Sequence, residues 1–186
     1  MKRIAQPFKL NFASQNLGFT LVEIMIVVSI IALLAAIAIP NVLRGRTSAN
    51  EAAAIGNLRA LVSSLEMYKS VNNYYPDTTA GWQTAMYGAN CTAGTAPDPD
   101  YGPPSFCVAL DGGAASQIQG YTYTYTGGAA SNATTYTITA NPVTLGRTGT
   151  RAFFVNESGT IRHCSAASGA TAASNSIDQA PNSSCP

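Results

Sequence analysis

Few residues in this chain have the types and spacing that chemistry requires. Among its 186 residues there is one histidine, His163. General acid–base work needs convergent polar groups of tuned acidity, and no G-x-S-x-G, P-loop or G-x-G-x-x-G is present to organise them. We therefore expect no enzyme, no catalytic residue and no cofactor. Asp98 and Asp100 stand between prolines and could offer carboxylate oxygens to calcium. Such a pair is more often a solvated turn, so no metal site is assigned. Asn132-Ala133-Thr134 and Asn156-Glu157-Ser158 match a glycosylation sequon, as chance allows in a Thr/Ser-rich chain, and receive no role. Arg147, Arg151 and Arg162 could form a small basic patch, too thin to support firm nucleic-acid binding. Charge agrees: outside Lys2, Arg3 and Lys9 there are seven basic and nine acidic residues, a balance of −2, with no global attraction for a polyanion.

The four cysteines, Cys91, Cys107, Cys164 and Cys185, make no C-x-x-C pair, and His163 beside Cys164 does not complete zinc spacing. An even count in a Thr/Ser/Asn-rich region points to two disulfides and an oxidising compartment. Three pairings are possible. Cys91–Cys107 and Cys164–Cys185 are preferred, because shorter loops cost less entropy to close. Four buried free thiols are the alternative.

One ionisable side chain is out of place. Glu23 is the only one between Lys9 and Arg44, and it sits near the start of an apolar run from Phe19 to Ile39. That run matches the ~20 residues a helix needs to cross a bilayer. Lys2, Arg3 and Lys9 precede it and should hold the N-terminus in the cytoplasm. It exceeds the roughly 7–15 apolar residues of a secretory signal and lacks a small-x-small cleavage site followed by a polar mature start. A carboxylate inside a membrane costs a few kcal/mol and is a functional candidate by default; the bland alternative is that Glu23 is tolerated near the headgroups.

Gly18-Phe19-Thr20-Leu21-Val22-Glu23, followed by apolar residues to Ile39 and then Pro40-Asn41, resembles the type IV prepilin signature, and the similarity continues more loosely along the next helix. The resemblance implies that residues 1–18 are a leader removed after Gly18 by a prepilin peptidase on the cytoplasmic face. Phe19 would become the N-methylated mature N-terminus. Glu23 would guide subunits into a filament by pairing with the N-terminal amine of a neighbour, which relieves the cost of an unpaired buried acid. Many such leaders carry Lys or Arg directly before the glycine; here Asn16-Leu17 stands there. The family plan implies an α+β pilin fold, a long N-terminal helix packed on a small antiparallel sheet. The partners implied are further copies of the chain in a helical filament, the peptidase, the inner-membrane assembly machinery and, before assembly, the membrane. The implied location is the inner membrane as a single-pass protein, then an extracellular filament.

These residues need elements to position them. A helix over 19–75 is expected, apolar all round over 19–39 and amphipathic over 40–75. Pro40 should kink it, or else break it in two. Ile55, Leu58, Val62, Leu65 and Tyr68 form an apolar stripe at spacings of three and four, with Asn57, Ser63, Ser64 and Lys69 opposite. Asn72-Asn73-Tyr74-Tyr75-Pro76 should end the helix. Residues 76–186 then form a globular head. Asp77–Gly120 is a long connection with a short helical turn at Trp82–Met86, braced by Cys91 and Cys107. Strands are expected at Tyr121–Thr126, Thr134–Ala140, Arg151–Val155 and Thr160–His163. The first alternates strictly, placing Tyr121, Tyr123 and Tyr125 on one face, where aromatics pack well. Short turns, including Asn156-Glu157-Ser158-Gly159, favour an antiparallel meander. A tail from Ser165 to Pro186 is too polar to order itself and would be tied down by Cys164–Cys185.

The leading functional expectation is a structural subunit of a type IV pilus, serving adhesion or motility. The nearest rival is a pseudopilin of a type II secretion system. Leu58-Arg59-Ala60-Leu61-Val62 through Tyr75-Pro76 is similar to the helix end of the major pseudopilin. That family carries an acidic calcium-binding loop near its C-terminus, whereas the last third here has only Glu157 and Asp178 as acids, and cysteines. A minor tip pilin binding DNA or a surface is a third reading.

Overall fold

A computed structural model of the chain describes residues 18–77, 79–88, 101–108, 110–128 and 133–165. The chain divides into two compact units after Pro40, and each is described by itself.

In the first unit, Gly18 to Thr20 have no regular secondary structure and helix α1 (Leu21–Asn72) begins at Leu21. None of its apolar start is buried. By length and composition it can cross a membrane. The hydroxyl of Ser29 donates to the Met25 carbonyl at 2.7 Å, so the polar atom within this run is satisfied by its own helix. The helical assignment continues through Pro40, in place of the expected alternative of two separate helices.

In the second unit, the rest of α1 buries Glu51, Ala54, Leu58, Leu61, Ser64, Leu65 and Tyr68. Spacings of three and four put most of these on one stripe. The stripe differs from the expected one. Ile55 and Val62 are half-buried flanks of the core, Leu61 lies in its centre, and Ser64 is buried, not opposite. Its hydroxyl donates to the Ala60 carbonyl at 2.8 Å, which removes the cost of burying it. The helix ends where Asn73 takes φ 66° and its N–H donates to the Lys69 carbonyl at 2.7 Å, a left-handed C-terminal cap of the kind Asn tolerates.

Helix α2 (Thr79–Tyr87) occupies the expected helical turn. Two short 3-10 turns, Pro104–Phe106 and Ala114–Ser116, follow. Strands β1 (Gln117–Ile118), β2 (Tyr121–Gly127), β3 (Tyr136–Pro142), β4 (Arg151–Asn156) and β5 (Arg162–Ser165) form one antiparallel meander in chain order. The fold is therefore α+β, a long N-terminal helix packed on a small antiparallel sheet. Strand β1 was not expected. It is two residues long and has no alternation to read.

Tyr121, Tyr123 and Tyr125 are all fully buried on one face of β2. They meet Phe153, Phe106 and Trp82 at ring-centroid distances of 5.7, 5.0 and 4.9 Å. Two glycines let backbone come close to this layer. A Cβ on Gly127 would lie 2.2 Å from the Pro76 carbonyl oxygen, and one on Gly149 would lie 2.0 Å from the Tyr121 hydroxyl. The Tyr125 hydroxyl donates to that same Pro76 carbonyl, pinning the chain leaving α1 against β2. Cys107 and Cys164 are both disulfide-bonded. Cys91, Cys185, Asp98, Asp100, Asn132 and the tail beyond Ser165 lie outside the described residues.

Candidate assembly and processing segment

The residues singled out at the N-terminus fall at the start of helix α1. Gly18 and Phe19 are exposed, Phe19 by 79%. A Cβ built on Gly18 meets nothing within 4 Å, and its φ is not positive. The chain's own fold therefore does not require glycine there. Any requirement comes from a molecule that handles this peptide bond.

Thr20 caps α1. Its hydroxyl accepts from the Glu23 N–H at 3.2 Å, and its carbonyl accepts from the Ile24 N–H at 3.3 Å. Glu23 is the one acid in the first helical turn, at the third helical position, where a carboxylate meets the positive end of the helix dipole. The Thr20-Leu21-Val22-Glu23 spacing is a capping-box pattern that was legible in the sequence and supplies a local reason for the acid. Glu23 is exposed on the single chain, so in an apolar surrounding its charge is left for another group to compensate.

A second acid carries the strongest polar site of the described residues. Glu51 is 6% exposed. Its Oε1 accepts from the Thr150 N–H at 2.9 Å, the Thr150 hydroxyl at 2.8 Å and the Arg151 N–H at 3.3 Å. Its Oε2 accepts from Arg151 Nε at 2.8 Å and Nη2 at 2.6 Å. Burial alone would raise the Glu51 carboxyl. The bonds from Thr150 and Arg151, with the Arg151 charge, outweigh burial and hold it below the ordinary carboxylate range. This is the one ion pair among the described residues, and it clamps α1 to the start of β4. It corrects the expected basic patch: Arg151 is bound to Glu51. The signal was a lone acid on the buried stripe, but its partners lie 99 and 100 residues away.

His163 lies on β5 with its ring 6.4 Å from Phe153. No cluster of three or more His, Cys, Asp or Glu that could hold a metal occurs among the described residues.

The chain matches the prokaryotic N-terminal methylation motif over residues 14–39. It is similar to type II secretion system core protein G of Escherichia coli, with 40% identity over 69 residues, 37% of this chain and 48% of that protein. The core protein G of Pseudomonas aeruginosa is 43% identical over 72 residues, 39% of this chain and 51% of that protein. That of Vibrio cholerae is 38% identical over 82 residues, 44% and 53% respectively. The chain spans about half the length of these relatives. No solved structure matches it.

Proposed function

We propose that this chain, which belongs to the type IV pilin and pseudopilin family through its N-terminal methylation motif, is a non-enzymatic structural subunit. It is stored in the inner membrane by its apolar helix and polymerises into an extracytoplasmic filament. The observation that carries the reading is the arrangement at the N-terminus: an exposed Gly18-Phe19 bond, a Thr20 cap, Glu23 in the first turn and an exposed apolar span behind it. A prepilin peptidase cuts after Gly18, Phe19 becomes the methylated N-terminus, and its amine on one subunit pairs with Glu23 of the next. Pro40 kinks the helix. Cys91–Cys107 and Cys164–Cys185 brace the head, with Cys107 and Cys164 already bonded.

In lipid an unpaired carboxylate is costly, and a neighbouring amine lowers that cost only in the polymer. Glu23→Val should therefore leave insertion and cleavage intact and sharply reduce subunit in the sheared filament fraction. Mass spectrometry of that fraction should give a chain starting at Phe19 with one added methyl group. Wild-type filament yield from Glu23→Val would leave the acid with only its place in the first helical turn. A retained Met1 would remove the processing step.

Of the two machines, we favour a type IV pilus, since the last third has only Glu157 and Asp178 as acids and its Cys164 is disulfide-bonded. The pseudopilin reading is supported by relatives named as type II secretion core protein G. Deleting the gene separates them. Loss of surface filaments with normal exoprotein in the medium fits the pilus, and the converse fits the pseudopilus.

A further inference from the structure

The second unit carries six exposed large apolar side chains among its described residues: Val42, Leu43, Met67, Val71, Val143 and Leu145. Four of them fall at one end. Val42 and Leu43 lie on α1 just after Pro40, and Val143 and Leu145 lie on the turn between β3 and β4. Three exposed arginines, Arg44, Arg46 and Arg147, share that end. Leu43, Arg44 and Arg147 line a groove of about 530 Å³ between α1 and the turn. Leu43, Arg46 and Arg147 line a second of about 620 Å³ beside it.

The turn is held in place. Asn50 Nδ2 donates to the Thr148 carbonyl at 3.0 Å, and the Thr47 hydroxyl to the Arg147 carbonyl at 3.4 Å. Thr148 and Thr144 exchange bonds at 3.0 and 3.1 Å, and Gly146 takes φ 78° to make the reversal. Among the described residues the only carboxylate lining either groove is Glu51, and Arg151 already compensates its charge. The arginines therefore present net positive charge at the end of the head that also exposes Val42, Leu43, Val143 and Leu145.

We propose that this end of the head is a membrane-interface site that docks on a bilayer carrying anionic phosphodiester headgroups. Leu145 and Val143 enter the acyl boundary, and Arg44, Arg46 and Arg147 meet the phosphates. The inference rests on the reading that residues 21–39 are inserted in a membrane. Chain connectivity alone then keeps Arg44 within about 18 Å of Ile39, at no more than about 3.6 Å per residue. The patch is thus tethered beside the headgroup layer. Apolar residues flanked by cations suit that layer, where stems enter the acyl region and guanidinium groups stay among phosphates. A neighbouring subunit would instead need free acids facing three arginines.

The test uses the full-length protein reconstituted in vesicles. Leu145→Trp places an indole on the turn, while the single native tryptophan, Trp82, is buried and gives a constant background. In phosphatidylglycerol vesicles the introduced indole should emit further to the blue and be quenched by bromine-labelled acyl chains. One arginine at an anionic surface favours docking roughly 5-fold. Arg44→Ser, Arg46→Ser and Arg147→Ser together should lower the docked-to-free ratio on the order of 100-fold, and phosphatidylcholine vesicles should do the same to the parent. Alkaline carbonate extraction is run in parallel. A carbonate-resistant protein whose indole is water-like in both lipids overturns the proposal alone. A protein extracted by carbonate overturns the membrane-stored reading and this site with it. A blue shift that appears only on polymerisation, whatever the lipid charge, assigns the patch to a neighbouring subunit and also overturns it.

Discussion

Replacing Glu51 with alanine should be the most damaging single polar substitution in the head. Breaking a fully buried ion pair costs ~3–5 kcal/mol. Here the Arg151 side chain is 43% exposed and rehydrates once freed, so the loss is discounted to about 2–3 kcal/mol. Much of that cost comes from the Thr150 and Arg151 N–H groups left without their acceptor. Arg151→Gln should cost only about 1 kcal/mol, because Glu51 keeps both donors of Thr150. The order Glu51→Ala worse than Arg151→Gln is the sharper expectation. Urea unfolding of the full chain in detergent, followed by emission of the buried Trp82, reports the head alone. With a slope of about 2 kcal/mol/M the midpoint should fall by about 1–1.5 M for Glu51→Ala. The pH dependence carries the same sign. A carboxyl held below its unfolded value contributes stability that is fully present above that value, about 4.3, and is lost as pH falls through the lower folded one. The gap between wild type and Glu51→Gln should therefore be full at pH 7 and shrink as pH falls below about 4.3. Equal midpoints at pH 7, or a larger loss from Arg151→Gln, would refute the view that the carboxylate organises this site.

Two further outcomes follow from packing. The Tyr136 hydroxyl is buried and has no hydrogen-bond partner among the described residues, so Tyr136→Phe should be neutral or stabilising by about 1 kcal/mol in the same urea assay, and a clear loss would reveal a bound partner outside them. Gly127→Ala should lower the midpoint by at least about 1 kcal/mol, because its Cβ would meet the Pro76 carbonyl oxygen at 2.2 Å, whereas Gly18→Ala, in open space, should leave head stability unchanged.

Much of this protein is written in short-range pattern. An apolar run of membrane-crossing length, cations before it and one acid at its start follow from residue types alone, because lipid demands apolar side chains and an internally bonded backbone. Alternating tyrosines at 121–125 announced a strand and its buried face, since side chains alternate along any strand. The helix end at Asn72-Asn73 was legible too. What the sequence could not decide depends on contacts made far along the chain. Glu51 and Ser64 look like surface residues until the sheet arrives. The acid is then held by Thr150 and Arg151 nearly a hundred residues on, and the serine turns back to its own helix. Arg147 and Arg151 look alike in sequence and separate in the fold, one bound to a buried carboxylate and the other left exposed beside Arg44. Helical periodicity says that one face is buried, but neighbouring stripes differ by a fraction of a turn. Only packing against the sheet chose Leu61 over Ile55 and Val62 for the centre of the core.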